Sequence, residues 1–435
     1  MQSKKAVIIG SGIAGLAASI RLVSQGYEVD VYEKSDKPGG KLGHFSEADY
    51  QFDTGPSLFT QPHQLEALLA LVGEKLSDYF TYQKMPVSCH YFYEDGTVIH
   101  AAADPDLFAE EAHKKTGEPV SNIKNYLASS EKLYTRIGQV FLDHSLHKFS
   151  TLFKIPLLSA LRAFKMSYVT RSMHTHNEKS FSSKKLVQLF NRYATYNGSN
   201  PYVAPSMLTL IAHLEHNEGS FYPSGGMISI TNTLVAVAKK IGVHFYFNSP
   251  VQKITTKNNQ VTGVVVNDTA IDADLVVSNA DVYFTYLNLL SAPSKAQKIL
   301  EQERSSSALI FYWGIKKEFP QLSLHNIFFT ENYEAEFAHL FDVKIPFSDP
   351  TVYINITSVC EPGIQAPTGK QNWFVMVNVP PLNSSGDNLL VRVRSARSLI
   401  LRASPPMFRS PASRITGTSK PRSVSTAMPM CSASK

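Results

Sequence analysis

A short, continuously apolar run, Ala6-Val-Ile-Ile9, lies near the N-terminus and gives way at once to glycines. An uninterrupted run of that length predicts a strand buried on both faces, as in a parallel sheet. The next stretch places Leu16, Ala17, Ile20 and Leu22 at helical spacing and closes at Gly26. Apolar and polar residues then alternate from Glu28 to Glu33, which predicts a second strand ending on an acid. Similar periods return much later. A helical pattern spans Ile228 to Ile241 and stops at Gly242, and a strand follows over Val243 to Phe247. Two β-rich runs, Val261 to Val266 and the stretch from Ile271, flank Asn267-Asp268, a turn pair that predicts a hairpin. No internal repeat is visible.

Between the first strand and the first helix stands Gly10-Ser-Gly12-Ile-Ala-Gly15. A GxGxxG turn in that context has a dinucleotide-binding logic. Gly10 permits the tight turn, Gly12 lets the backbone approach a diphosphate, and Gly15 lets the helix pack closely on the sheet. The free N–H groups and positive dipole end of the helix hold the diphosphate, and Glu33 accepts hydrogen bonds from a ribose hydroxyl. Lys4 and Lys5 ahead of the apolar run suggest a signal peptide at first sight. The run is too short and enters glycines with no cleavage site, so the pair reads as the approach to a buried strand. No 18-residue apolar run exists, and no transmembrane helix is expected.

Glu33 is followed by Lys34-Ser-Asp-Lys-Pro-Gly39-Gly40-Lys41, and then by Phe52-Asp-Thr-Gly55-Pro56-Ser57. In this order the motifs resemble the FAD-dependent amine oxidase and phytoene desaturase superfamily. The resemblance implies an α/β fold: an FAD/NAD(P)-binding Rossmann-like domain with an inserted α+β substrate domain. It also implies that Gly39, Gly40 and Lys41 pass along FAD and that Gly55, Pro56 and Ser57 lie near the isoalloxazine. Asn217-Glu-Gly-Ser-Phe-Tyr-Pro-Ser-Gly225-Gly226-Met227, Ser249-Pro-Val251-Gln-Lys-Ile254 and Ile271 to Asp281 resemble the return to the flavin domain in carotenoid desaturases. There a valine placed like Val251 offers backbone contacts to the adenine end of FAD. Tyr193 to Tyr202 and Ala308 to Gly314 add to this likeness. The subgroup it resembles most introduces a 3,4 double bond into 1-hydroxylated acyclic carotenoids.

The resemblance covers roughly residues 1–387 and implies a discontinuous flavin domain, 1–85 with 217–284, and a substrate domain, 86–216 with 285–387. It implies hydride transfer from an acyclic carotenoid to FAD, with quinone or oxygen as final acceptor; no side chain emerges as the proton acceptor, and the catalytic residue stays unassigned. Three other readings remain open: an amine or protoporphyrinogen oxidase relative, a carotenoid isomerase, and an inactive remnant that binds lipid or flavin weakly.

Composition changes this picture at three points. The 435 residues, 43% hydrophobic and 18% charged, exceed one compact core and suit a folded protein of two or three domains. Aromatic content of 11% fits a large core and equally an apolar substrate cavity. Cys89, Cys360 and Cys431 are far apart and form neither a disulfide framework nor a zinc site. The histidine pairs His144/His147 and His174/His176 read as loop residues, so no metal is expected. Together these fit a reducing cytoplasm.

The net charge of +6 sits in one place. Residues 388–435 hold seven Arg and two Lys with no acid, and without those nine the 42 basic residues fall to 33 against 36 acidic. Nucleic-acid binding is therefore not inferred. This tail, 388–435, departs from the superfamily pattern, which closes over the flavin with a glycine-rich segment. It reads as an aberrant stretch such as a shifted reading frame yields, or as a disordered basic tail. Weak FAD binding and weak or absent activity are expected of the chain as written. Leu146 to Tyr168, finally, has no acid and interleaves Lys148, Lys154, Arg162 and Lys165 with Phe149, Leu152, Phe153, Leu157, Leu158, Leu161 and Phe164. It reads either as a core helix with a solvated basic edge or as a peripheral contact with the inner face of the cell membrane, from which a carotenoid is drawn. Pro156 interrupts any single helix there.

Overall fold

The structure, a computed structural model, describes residues 4–138, 166–302 and 304–381. The basic amphipathic stretch up to Lys165 and the tail 388–435 lie outside the described residues. Two compact units divide the chain: Met1–Gln83 with Phe221–Arg304, and Lys84–Ser220 with the residues from Ser305 onward.

In the first unit the apolar run becomes the strand Lys5–Ile9. It lies inside a four-stranded parallel sheet, flanked by Glu28–Tyr32 on one side and Leu275–Ser278 on the other, with His244–Tyr246 outermost beyond Glu28–Tyr32. Its side chains alternate between two covers. Ala6 and Ile8 pack with Leu16, Ile20, Leu234 and Val237 of the helices Ile13–Ser24 and Ile228–Lys240. Val7 and Ile9 pack on the other face with Ile254, Val264 and Val266. Those last three belong to a three-stranded antiparallel sheet, Val251–Lys257, Gln260–Val266 and Thr269–Asp272. Burial on both faces explains why this strand carries no alternation.

The second strand is less simple than its pattern. Asp30 is buried within it, and Lys5 answers from the neighbouring strand with an ion pair of 2.9 Å. Lys5 is thus a strand residue with a partner. The Asn267-Asp268 hairpin is present, with φ of 48° and 60° and Val266 opposite Thr269. Asn258-Asn259 makes a second such turn (φ 52° and 59°) between Lys257 and Gln260. Asparagine and aspartate tolerate this left-handed backbone better than other side chains do.

The second unit is built on a six-stranded mixed sheet. Ser307–Ile315 pairs antiparallel with Gln371–Val379, and Val87–Phe92 pairs parallel with His325–Phe328. Helices including Pro105–Thr116, Val120–Leu133 and Lys184–Asn191 supply a core around Tyr91, Phe108, Phe190 and Tyr193. An α/β first unit and an α+β second unit agree with the fold class expected from sequence. The first unit extends through Arg304 because the turns after Asp281 stay with it; Ser278 Oγ and Thr285 Oγ1 are 2.8 Å apart.

The helix Ile228–Lys240 has no cap of its own at Met227, and Asp53 supplies one from a distant hairpin. Its carboxylate accepts from Met227 N–H (3.0 Å) and Ile228 N–H (3.3 Å). Replacing Asp53 with Ala should lower unfolding free energy by about 1 kcal/mol, the usual loss on removing such a cap. A urea titration of the purified variant measures this, and an unchanged midpoint would refute the capping role.

Candidate flavin site

Three parallel strands end side by side, at Ile9, Tyr32 and Ser278, and the residues that follow them make the site. Ligands of open α/β sheets settle at such carboxyl ends, where neighbouring strands leave in different directions. Gly10 N–H donates to Tyr32 O (2.8 Å) and Asn279 N–H to Ile9 O (2.9 Å), so the glycine turn is pinned from both sides.

The three glycines are required for three different reasons. Gly10 adopts φ +96°, a left-handed conformation that favours glycine. Gly15 faces the carbonyl of Gly10, which would stand 2.2 Å from a Cβ. Gly10 and Asn279 directly follow the strands Lys5–Ile9 and Leu275–Ser278, so the helix start lies close against the end of the sheet. Gly12 has an ordinary extended backbone, φ −66° and ψ 167°. A Cβ there would meet Asn279 Nδ2 at 2.8 Å.

Glu33 is buried just past the second strand. Its Oε2 accepts from the backbone N–H and the hydroxyl of Ser11 (2.8 and 3.0 Å), and its Oε1 from Ser35 N–H (2.9 Å). Burial pushes its pKa up, but the hydrogen bonds from Ser11 and Ser35 outweigh that and hold it below the usual value. Glu33 therefore stays ionised and ties down the glycine turn, a role that its position in the motif did not reveal.

The second glycine pair joins the first. Gly39 N–H donates to Ser11 O (2.9 Å), Gly39 forms a parallel bridge with Gly12, and a Cβ on Gly40 would lie 3.3 Å from Gly12 Cα. Gly55 lies against Lys41, whose carbonyl would stand 1.9 Å from a Cβ. Gly10, Gly12, Gly15, Glu33, Gly39, Gly40, Lys41 and Gly55 are thus one continuous backbone surface. Pro56 is exposed and Ser57 half-buried beyond it, and the Lys41 side chain is exposed. Val251 is reached through Ser249, whose N–H donates to Glu33 O (2.8 Å).

This surface fits a flavin dinucleotide. No side chain caps the first turn of the helix Ile13–Ser24 and no acid lies in it, so its N–H groups and dipole can receive an anion. A shallow depression of about 420 Å³ at Lys239 and Val243 to Phe247 lines none of these residues.

The chain belongs to the flavin-containing amine oxidoreductases, whose family pattern it matches over residues 13–337. It is 48% identical over 392 residues to a 1-hydroxycarotenoid 3,4-desaturase of Flavobacterium sp. (strain P99-3), covering 90% of this chain and 80% of that one. It is 31% identical to a 4,4'-diapolycopene oxygenase of Methylomonas sp, over 88% of this chain and 76% of that one. Among solved structures, an oxidoreductase from Methanosarcina mazei superposes with a TM-score of 0.60 at 18% identity, over 92% of this chain and 85% of that one. A redesigned putrescine oxidase gives 0.58 at 13% identity, over 95% and 83%. These two likenesses concern the fold.

Sequence reasoning missed a buried polar cluster in the second unit. Arg192 Nη2 lies 2.9 Å from both carboxylate oxygens of Glu215, and the guanidinium faces the rings of Tyr91, Tyr193 and Tyr196 at 4.6 to 5.5 Å. The hydroxyls of Tyr91, Tyr193 and Tyr196 all donate to Glu215. Burial alone would raise the Glu215 pKa, but Arg192, His216 and the hydrogen bond from Tyr196 bring it down to about 2. The residue types were visible, but the 23-residue separation of Arg192 from Glu215 gave no periodic signal.

Replacing Arg192 with Met leaves a buried carboxylate without its counter-charge and should cost about 3–5 kcal/mol at neutral pH. The Glu215 contribution is complete above its unfolded pKa of about 4.5 and disappears as pH falls towards 2. The deficit of the variant, measured by denaturant unfolding, should therefore narrow over that range. A pH-independent deficit would contradict the ion-pair account.

Proposed function

We propose that this protein is an FAD-dependent desaturase of acyclic carotenoids. One observation carries the reading: 48% identity, across 90% of the chain, to a protein named as a 1-hydroxycarotenoid 3,4-desaturase. The continuous glycine surface of the first unit supports the cofactor half of the proposal. Gly10, Gly12 and Gly15 keep side chains away from the uncapped start of the helix Ile13–Ser24, whose amides bind the diphosphate. Glu33 holds that turn in place and orients the adenosine ribose, with Val251 at the adenine end. Gly39, Gly40 and Lys41 continue along the cofactor towards Gly55, Pro56 and Ser57. The flavin supplies a two-electron acceptor for hydride. In this reading the first unit is the flavin domain and the second is the substrate domain.

A carbon next to a polyene gives up hydride readily because the developing positive charge is delocalised, and loss of a proton from the neighbouring carbon then completes the new C=C bond. The protein's task is then to align the chain and exclude water. The substrate class is an acyclic carotenoid, and a quinone or oxygen would serve as the final electron acceptor. No described helix is long and apolar enough to cross a membrane. Peripheral contact with the inner face of the cell membrane is supported by exposed Met166 and Val169, at the C-terminal end of the basic stretch Leu146 to Tyr168. A second reading, oxygenation of an acyclic carotenoid, is favoured by the 31% identity to a diapolycopene oxygenase.

Purified protein should carry a yellow flavin chromophore or gain thermal protection from added FAD. Co-expressed with 1-hydroxylated acyclic carotenoids, it should yield a product lighter by two hydrogens with red-shifted absorption. A product carrying added oxygen favours the second reading. Unchanged conjugation with altered geometry means isomerisation, and an unchanged carotenoid supports the inactive remnant over both leading readings.

A further inference from the structure

Asn279 is half-buried at the point where the strand Leu275–Ser278 ends. Its backbone is fixed by the hydrogen bond to Ile9 O, and its position is further set by the parallel pairing of Ser278 with Ile9. From there its side chain reaches all three glycines of the turn. Its Cβ lies 3.8 Å from where a Cβ on Gly10 would stand, and its Nδ2 lies 2.8 and 3.0 Å from the corresponding points on Gly12 and Gly15. Its amide makes no hydrogen bond among the described residues.

Two facts single this residue out. The Gly12 backbone (φ −66°) would accept any side chain, so the obstacle to one is the Asn279 amide together with whatever the turn binds. The amide also brings two N–H donors to the start of a helix whose first turn no side chain caps. An unpartnered donor held beside uncapped backbone amides is suited to an anion, since hydrogen bonds to charged groups are among the strongest a neutral side chain makes.

We propose that Asn279 is a further cofactor-binding residue, whose side-chain amide donates to the diphosphate held by the Gly10–Gly15 turn. The inference rests on the flavin reading of that turn. It adds a ligand from the far end of the first unit, so diphosphate binding depends on the strand Leu275–Ser278 being in place beside Lys5–Ile9.

The test uses full-length protein stripped of flavin and titrated with FAD and, separately, with ADP, which carries the diphosphate without the isoalloxazine. Asn279→Ala should weaken both ligands about 10-fold, the loss of one hydrogen bond to a charged group. Asn279→Asp keeps the shape and replaces a donor with a negative charge. It should weaken both ligands further, with the thermal midpoint of the ligand-free protein unchanged. Asn279→Leu fills nearly the same space without a donor, so a Leu variant that binds both ligands like wild type would show Asn279 to be merely space-filling and would overturn the proposal. So would a fall in the ligand-free midpoint that accounts for the lost binding. If wild-type protein binds neither FAD nor ADP, the flavin reading itself fails and the proposal with it. That result differs from one in which wild type binds and the variants bind equally well.

Discussion

Backbone touching backbone, with no room for side chains between, is the constraint on which the first unit depends. The Gly10 carbonyl fills the place of a Gly15 Cβ, the Lys41 carbonyl fills that of a Gly55 Cβ, and Gly39 and Gly40 lie on Gly12. Each close approach removes a side chain that would otherwise cover peptide groups. The outcome is closely packed backbone at the end of a parallel sheet, tied down where Glu33 accepts from the N–H groups of Ser11 and Ser35. A flavin nucleotide needs such a surface because its diphosphate is recognised by N–H groups and a helix dipole.

The elements of this unit were legible because their signals are local. An apolar run, a glycine turn, a 3.6-residue period and an Asn-Asp pair each report the backbone beneath them, and the strand, helix and hairpin follow as expected. What stayed hidden was the partner of each residue. Asp30 looks like the polar half of an alternating strand, yet it is buried against Lys5. Asp53 sits in a motif associated with the flavin, yet it caps a helix that begins 175 residues later. The reasons for glycine at positions 12 and 15 were legible only in part, since Asn279 and the turn's own carbonyl are neighbours in space and not in pattern.

The second unit gave less to a sequence reader for a related reason. Its core includes an ionised pair that is costly to bury and tolerable only because three tyrosine hydroxyls and three ring faces surround it. Such networks impose geometry on the residues that join them, and Tyr193 and Tyr196 belong to the same segment, Tyr193 to Tyr202, that first suggested the carotenoid enzymes. The likeness in that segment therefore reflects, at least in its tyrosines, the building of a core.

The pairing of Lys5–Ile9 with Leu275–Ser278 also has a consequence for how the protein is made. The hydrogen bond from Lys5 N–H to Asp274 spans 269 positions, so the strand at the heart of the sheet acquires its second neighbour only after most of the chain has left the ribosome. Contacts of such separation are slow to form and leave apolar edges uncovered during synthesis. Until Leu275 to Ser278 emerges, one edge of the strand Lys5–Ile9 is left without its partner.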